Sequence, residues 1–188
     1  RLAVNRHRFP GVDVVPYLTR RYLHGDLFAH VIGYVSRLDE QDLKELGDER
    51  YSALTHIGKS GIERAYEQRL RGSIGYEEVE TNVQGRSLRV LRRHDALPGE
   101  DLRLSIDANV QRAIVAAFGE QNGSAVAVDP NTGEVLALVS LPSFDANLFV
   151  NGISHTDYNA LTGDISRPLF NRVVQGGTPP GSTLKPFV

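Results

Sequence analysis

The chain has 188 residues, 40% of them apolar and 23% charged, with a formal net charge of −2. That is enough chain to bury a core and to hold one or two domains, and it lacks the basic excess of a nucleic-acid binder. There is no cysteine, and the six histidines show no metal-ligand spacing, so a disulfide framework and a cysteine–histidine metal site are excluded.

From the N-terminus, the first 98 residues read as short strands with a few helices. Residues 29–36 are a compact apolar run ending before charge, the pattern of a strand or a buried turn. Within it, His30 reads as a satisfied structural histidine. Residues 39–47 carry Leu43 and Leu46 behind early acidic residues, which predicts a short helix starting near Asp39. Gly58-Lys59-Ser60-Gly61 is no phosphate loop, because its lysine lies between the glycines and no Walker pattern comes after it. Residues 61–71 set Ile62, Ala65, Tyr66 and Leu70 at helical spacing, with Gly72 as the stop. Residues 76–82 and 87–91 alternate, and Gln84-Gly85 between them predicts two antiparallel strands. Arg86, Arg89, Arg92 and Arg93 cluster there and read as a solvated strand face. Phe9, Tyr17, Tyr22, Phe28 and Tyr34 lie among arginines, a composition that suits an interface or a small core alike.

Leu97-Pro98-Gly99 is the predicted boundary, dividing residues 1–98 from residues 99–188. Beyond it the apolar pattern is denser. Residues 102–106 alternate as a strand, and Asp107 caps a helix carrying Val110, Ile114, Val115 and Phe118, with Gly123 as the end of that unit. Residues 124–129 and 134–141 are apolar and β-rich, and Pro130-Asn131-Thr132-Gly133 joins them as a hairpin turn shaped by Asp129 and Asn131. Residues 142–178 are rich in turns, with one helical candidate at 156–161. Such a stretch suits one wall of a cleft, or a surface excursion.

The chemistry-bearing segment is the last one, where Ser182 and Lys185 come after Pro179-Pro180-Gly181. On a helix, positions i and i+3 share a face, so the lysine amine reaches the serine hydroxyl and can take its proton. Of 21 basic residues only Lys44, Lys59 and Lys185 are lysines. A desolvated lysine can act as a neutral base, whereas an arginine cannot be deprotonated. A bare S-x-x-K is expected roughly once by chance in such a chain, so spacing alone leaves Ser182 open as a simple helix cap.

The surrounding residues carry more. Pro179-Pro180-Gly181-Ser182-Thr183-Leu184-Lys185-Pro186 resembles the active-site motif of the penicillin-binding transpeptidases. Phe9-Pro10-Gly11, Ala29-His30-Val31-Ile32-Gly33-Tyr34-Val35 and Gly58-Lys59-Ser60-Gly61-Ile62-Glu63 resemble the non-catalytic region of class B penicillin-binding proteins. So do Leu70-Arg71-Gly72 and Asn82-Val83-Gln84-Gly85-Arg86, while residues 129–137 resemble the opening of the transpeptidase domain. Asn171-Arg172 also fits. The resemblance runs almost end to end, and its details are closest to the elongation-specific branch, the penicillin-binding protein 2 group of rod-shaped Gram-negative bacteria.

The resemblance implies an α+β fold: a strand-rich pedestal or dimerisation-type module at residues 1–98, then the first part of a transpeptidase domain at 99–188. It implies acyl transfer from the D-Ala-D-Ala end of a peptidoglycan stem peptide through an ester on Ser182, with Lys185 as base and no cofactor. β-Lactams would acylate Ser182 as substrate mimics. The implied partners are stem peptides, a membrane glycan polymerase and a periplasmic scaffold of the elongation complex. The implied place is the periplasmic face of the bacterial inner membrane. The chain contains no methionine, so Arg1 does not read as a native start, and a membrane anchor is expected upstream of it. The S-x-N and K-T-G motifs that complete the family's site are expected after Val188, and the 188 residues alone are expected to be inactive. Three alternatives stand beside this reading: a division-specific transpeptidase, a D,D-carboxypeptidase, β-lactamase or β-lactam-sensing relative, and a module that only holds partners in a cell-wall complex.

Overall fold

The computed structural model describes residues 19–40, 42, 44, 55–84, 87–177, 179, 182 and 185. The elements are α1 (Ala29–Ile32), β1 (Val35–Arg37), β2 (His56–Gly58), α2 (Gly61–Ala65), α3 (Glu67–Arg71), β3 (Tyr76–Thr81) and β4 (Ser87–His94). They continue with α4 (Ala108–Phe118), β5 (Gly123–Val128), β6 (Val135–Leu141), α5 (Asn147–Val150) and α6 (His155–Gly163). The strands pair in sequence as three separate antiparallel ribbons, β1 with β2, β3 with β4 and β5 with β6, so the fold is α+β.

The apolar run at 29–36 is both a turn of helix and a strand, because Gly33 breaks it at φ 76°. A Cβ on Gly33 would lie 2.0 Å from the Ser60 carbonyl oxygen, and one on Gly61 (φ 58°) would lie 2.6 Å from that of Val31. The exit of α1 and the start of α2 therefore press backbone on backbone, and only glycine fits. Lys59, between those glycines, bonds the carboxylates of Asp39 at 2.9 Å and Asp42. Burial lowers its pKa, but the hydrogen bonds and charges of Asp42 and Asp39 outweigh that and raise it. Asp39 and Asp42 also accept each other's backbone N–H, at 2.9 and 2.8 Å, a reciprocal cap at the predicted helix start. Glu40, Asp42 and Lys44 are helical, and the rest of that predicted helix lies outside the described residues.

The helix predicted at 61–71 is two short helices, interrupted at Tyr66 (φ −116°). The first turns Glu63 inward to 5% exposure. A buried carboxylate must be paired, and Glu63 takes Arg20 Nε at 2.9 Å, Arg20 Nη2 at 3.2 Å and the Tyr22 hydroxyl at 3.2 Å. That hydroxyl in turn accepts from Val35 N–H at 2.9 Å. Burial, then the Glu63 charge, pushes the Tyr22 phenol well above its ordinary value. The second helix ends at Gly72, where Ser73 and Leu97 exchange backbone bonds at 3.0 and 3.1 Å and Glu100 N–H bonds the Arg69 carbonyl at 2.8 Å. The Leu97–Gly99 segment is thus fastened to α3.

The predicted pair β3–β4 forms, with Glu77 opposite Arg93, Glu78 opposite Arg92 and Glu80 opposite Arg89. Every residue of β3 is exposed, as a solvated charged face requires; Arg86 lies outside the described residues. Residues 102–106, by contrast, form no strand. Among the described residues, this segment's hydrogen bonds to β6 are from the Ser105 hydroxyl, which donates to the Val135 carbonyl at 2.8 Å, and from Asp107 N–H, which bonds that of Leu136 at 2.8 Å. One backbone bond does not make a ladder.

Asp107 caps α4 as expected, accepting from Asn109 N–H at 2.7 Å and Val110 N–H at 3.2 Å. The helix ends at Gly119 (φ 57°), before the predicted Gly123, which instead opens β5 opposite Leu141. The β5–β6 hairpin turns on Asp129, whose carboxylate takes Asn131 N–H at 2.7 Å and whose carbonyl takes Gly133 N–H at 2.9 Å. Helix α6 is longer than predicted, capped by Ser154, which accepts from Asp157 N–H at 3.0 Å. Among the described residues no helix is long and apolar enough to cross a membrane.

The main apolar cluster is Ala29, Phe144, Ala146 and Phe149, flanked by Tyr22, Tyr34, Ile153, Leu161 and Leu169. Tyr34 stacks on Phe149 at 4.2 Å, and Phe144 meets Phe149 edge-on at 5.6 Å. Burying a ring of this size contributes about 1.5–3 kcal/mol. Two of the aromatics that suited an interface or a core, Tyr22 and Tyr34, therefore serve the core. Phe28 is half-buried against His24, while Phe9 and Tyr17 lie outside the described residues. This core joins residues 22–34 to residues 144–169, across the predicted boundary.

Candidate active site

Ser182 and Lys185 each have 3-10 backbone, and both are exposed. The expected sharing of a helix face between them rests on residues outside the described set.

The approach to this pair is built on the end of β6. Ser140, 3% exposed, donates its hydroxyl to the Phe170 carbonyl at 3.3 Å and accepts from Arg172 N–H at 3.0 Å. The Arg172 guanidinium donates to the carbonyls of Arg167 (3.2 Å), Phe170 (3.4 Å) and Ser166. Asn171 closes the next turn. Its Oδ1 accepts from Val173 N–H at 3.1 Å and Val174 N–H at 3.3 Å, and its backbone exchanges bonds with Gln175. Its Nδ2 reaches back to the His30 carbonyl at 3.1 Å.

The same N-terminal stretch is held at further points. Asn147 accepts from Tyr22 N–H and donates to the Tyr22 carbonyl, each at 2.9 Å, and Asp145 orients it by accepting from Nδ2 at 2.7 Å. Ser143 donates to the Asp26 carbonyl at 2.6 Å. Gln111, 1% exposed, donates to the carbonyls of Leu27 (3.1 Å) and Leu138 (2.8 Å) and accepts from Leu138 N–H at 2.9 Å. Asp145 and Asn147 thus fasten the segment after β6 to the backbone of Tyr22. Sequence reasoning missed Glu63 and Gln111 as buried polar anchors. The signal for Gln111 was present: with Ile114, Val115 and Phe118 it sits at i, i+3, i+4 and i+7, on the apolar stripe.

His30 packs edge-on against Phe144 at 5.3 Å, and its Nε2 is buried with no hydrogen-bond partner. It is structural, as expected, but not satisfied. Burial lowers its pKa below the ordinary 6.5, more strongly than the nearby carbonyls of Pro168 and Pro142 raise it, and Arg172 lowers it further. The native state therefore resists a proton that the unfolded chain takes up. The stability that neutral His30 confers is complete above about pH 6.5 and is lost as pH falls toward the lowered native value. Thermal unfolding of the protein between pH 8 and pH 5 should show the midpoint falling below about pH 6.5. His30→Gln should flatten that slope, and a slope unchanged by the substitution would assign it elsewhere. A cavity of about 290 Å³ opens beside His30, lined also by Leu27, Val115, Leu138 and Pro142. Neither Ser182 nor Lys185 lines it.

Residues 1–104 match the model of the penicillin-binding protein dimerisation domain, and residues 123–188 match that of the penicillin-binding protein transpeptidase domain. Over 182 residues the chain is 50% identical to the peptidoglycan D,D-transpeptidase MrdA of Acinetobacter baumannii, covering 97% of this chain and 27% of that protein. Its fold is similar to the crystal structure of Pseudomonas aeruginosa PBP2 in complex with WCK 5153, with TM-score 0.77 and 47% identity, over 89% of this chain and 33% of that one. It is similar also to PBP2 in its complex with MreC from Helicobacter pylori, with TM-score 0.87 and 33% identity, over 98% of this chain and 34% of that one. The chain spans 27% of the MrdA relative's length. With the dimerisation-domain match covering more than half of its residues and the start of the transpeptidase domain coming after it, the chain belongs to the penicillin-binding proteins.

Proposed function

We propose that these residues are part of a peptidoglycan D,D-transpeptidase of the elongation type, acting through an acyl-enzyme on Ser182. The observation that carries this reading is the match of residues 123–188 to the transpeptidase domain, within which Ser182 and Lys185 stand three positions apart behind Pro179-Pro180-Gly181. Lys185 acts as the base that takes the proton of the Ser182 hydroxyl as its oxygen attacks the carbonyl between the two D-alanines. The amide bond breaks, the terminal D-alanine leaves with a proton, and an ester remains. An amine on a neighbouring stem peptide then attacks that ester, forms the cross-link and returns the proton to Ser182. A β-lactam opens on the same oxygen and stays attached.

The domain division belongs to the same proposal: a non-catalytic module to about residue 98 and the catalytic domain after it. The separate β3–β4 and β5–β6 ribbons support it. The dimerisation match also favours a transpeptidase over a free-standing β-lactamase. The MreC complex of a relative supports a protein partner for the N-terminal module. We take that partner to be a periplasmic scaffold of the elongation complex, beside a membrane glycan polymerase, at the periplasmic face of the inner membrane.

The test is to react a full-length protein containing this sequence with a labelled penicillin, digest it and locate the adduct by mass spectrometry. One adduct per molecule on the Ser182 peptide is the expected result. No adduct, or an adduct on another serine, would sink the assignment.

A further inference from the structure

The Asn171 carboxamide uses its two ends for different purposes. Its oxygen caps a local turn through Val173 and Val174 N–H, while its nitrogen donates to His30, 141 residues away. The His30 carbonyl lies in the last turn of α1, where carbonyls have no partner within the helix. Asn171 supplies one. The other side of that bond is rigid, since the His30 ring packs on Phe144 within the main core.

Among the described residues, the bond between Gln175 and Asn171 is the last side-chain hydrogen bond before Ser182. After Gln175 the sequence runs Gly176-Gly177-Thr178-Pro179-Pro180-Gly181, which offers one hydroxyl and no other polar side chain. The last described side-chain bond ahead of Ser182 thus lies in the turn that Asn171 closes, and that turn is tied to α1.

We infer that Asn171 is a positioning residue for acylation at Ser182, acting through its hydrogen bond to the His30 carbonyl. This rests on the assignment of Ser182 proposed above. Misplacing a reacting group by about 1 Å can cost on the order of 10²-fold in rate. Asn171→Asp separates the two uses of the side chain. It keeps an acceptor for Val173 and Val174 N–H, removes the donor, and sets a carboxylate against the His30 carbonyl.

The experiment measures penicillin acylation of the full-length enzyme by stopped flow, with active enzyme titrated in each sample. For Asn171→Asp the acylation rate constant should fall about tenfold or more, while dissociation of the preceding complex stays within about twofold. If Asn171→Asp fails to fold, Asn171→Ser replaces it: the hydroxyl still caps the turn but is too short to reach His30, and the same loss is expected. A rate constant within about twofold of the parent, even with less active enzyme, makes Asn171 structural only and overturns the inference. If the parent itself is not acylated at Ser182, the nucleophile assignment fails, and the positioning role falls with it.

Discussion

Ser182→Ala should abolish covalent penicillin labelling of the full-length enzyme and leave its thermal unfolding unchanged. The two halves of this expectation have separate reasons. Labelling needs an oxygen that can form an ester, and alanine has none. Stability should hold because the change removes a single hydroxyl, which is exposed within these 188 residues, and substitutions at exposed sites usually stay within about 0.5 kcal/mol. Unfolding measured beside labelling separates a lost nucleophile from a lost fold. Stoichiometric labelling of the variant would move the nucleophile to another residue.

Lys185→Arg tests the base rather than the charge. The side chain is exposed within these 188 residues, and both groups are cationic when protonated. They differ in that arginine cannot give up its proton to become an acceptor. Loss of a general base costs about 10²–10⁴-fold in rate, and the acylation rate constant should fall by that amount. Lys185→Ala should fall as far. An arginine variant within a few fold of the parent would mean that Lys185 supplies only positive charge.

The elements that were legible in the sequence are those whose signals are local. Asp107 before Val110, Ile114 and Val115 sets the start of α4, because one carboxylate caps two nearby N–H groups. Asp129 and Gly133 make the β5–β6 turn for the same kind of reason. Gly72 stops α3 where a positive φ is needed. The Ser182–Lys185 pair was equally local, a spacing of three residues behind a proline-rich turn. The elements that were misread are those decided by distant partners. Residues 102–106 alternate like a strand but meet β6 through one backbone bond and one serine hydroxyl. Gly123 looked like a helix end, yet its place is set by Leu141 across the ribbon and by the Phe118 ring, which a Cβ there would meet at 2.6 Å.

By itself, the sequence determined the Ser182–Lys185 spacing, the helix caps, the turns and the family's motifs. Each depends on residues a few positions apart, whose geometry the backbone limits to a few forms. Only the tertiary structure decided that the main core lies across the predicted boundary, joining Tyr22, Ala29 and Tyr34 to Phe144, Ala146 and Phe149. It alone decided that Gln111, Asn147 and Asn171 spend their side chains on the backbone of residues 22–30. A buried carboxamide must find both a donor and an acceptor. Which ones it finds depends on what the fold brings within about 3 Å, and the pattern of residues along the chain carries no record of that distance.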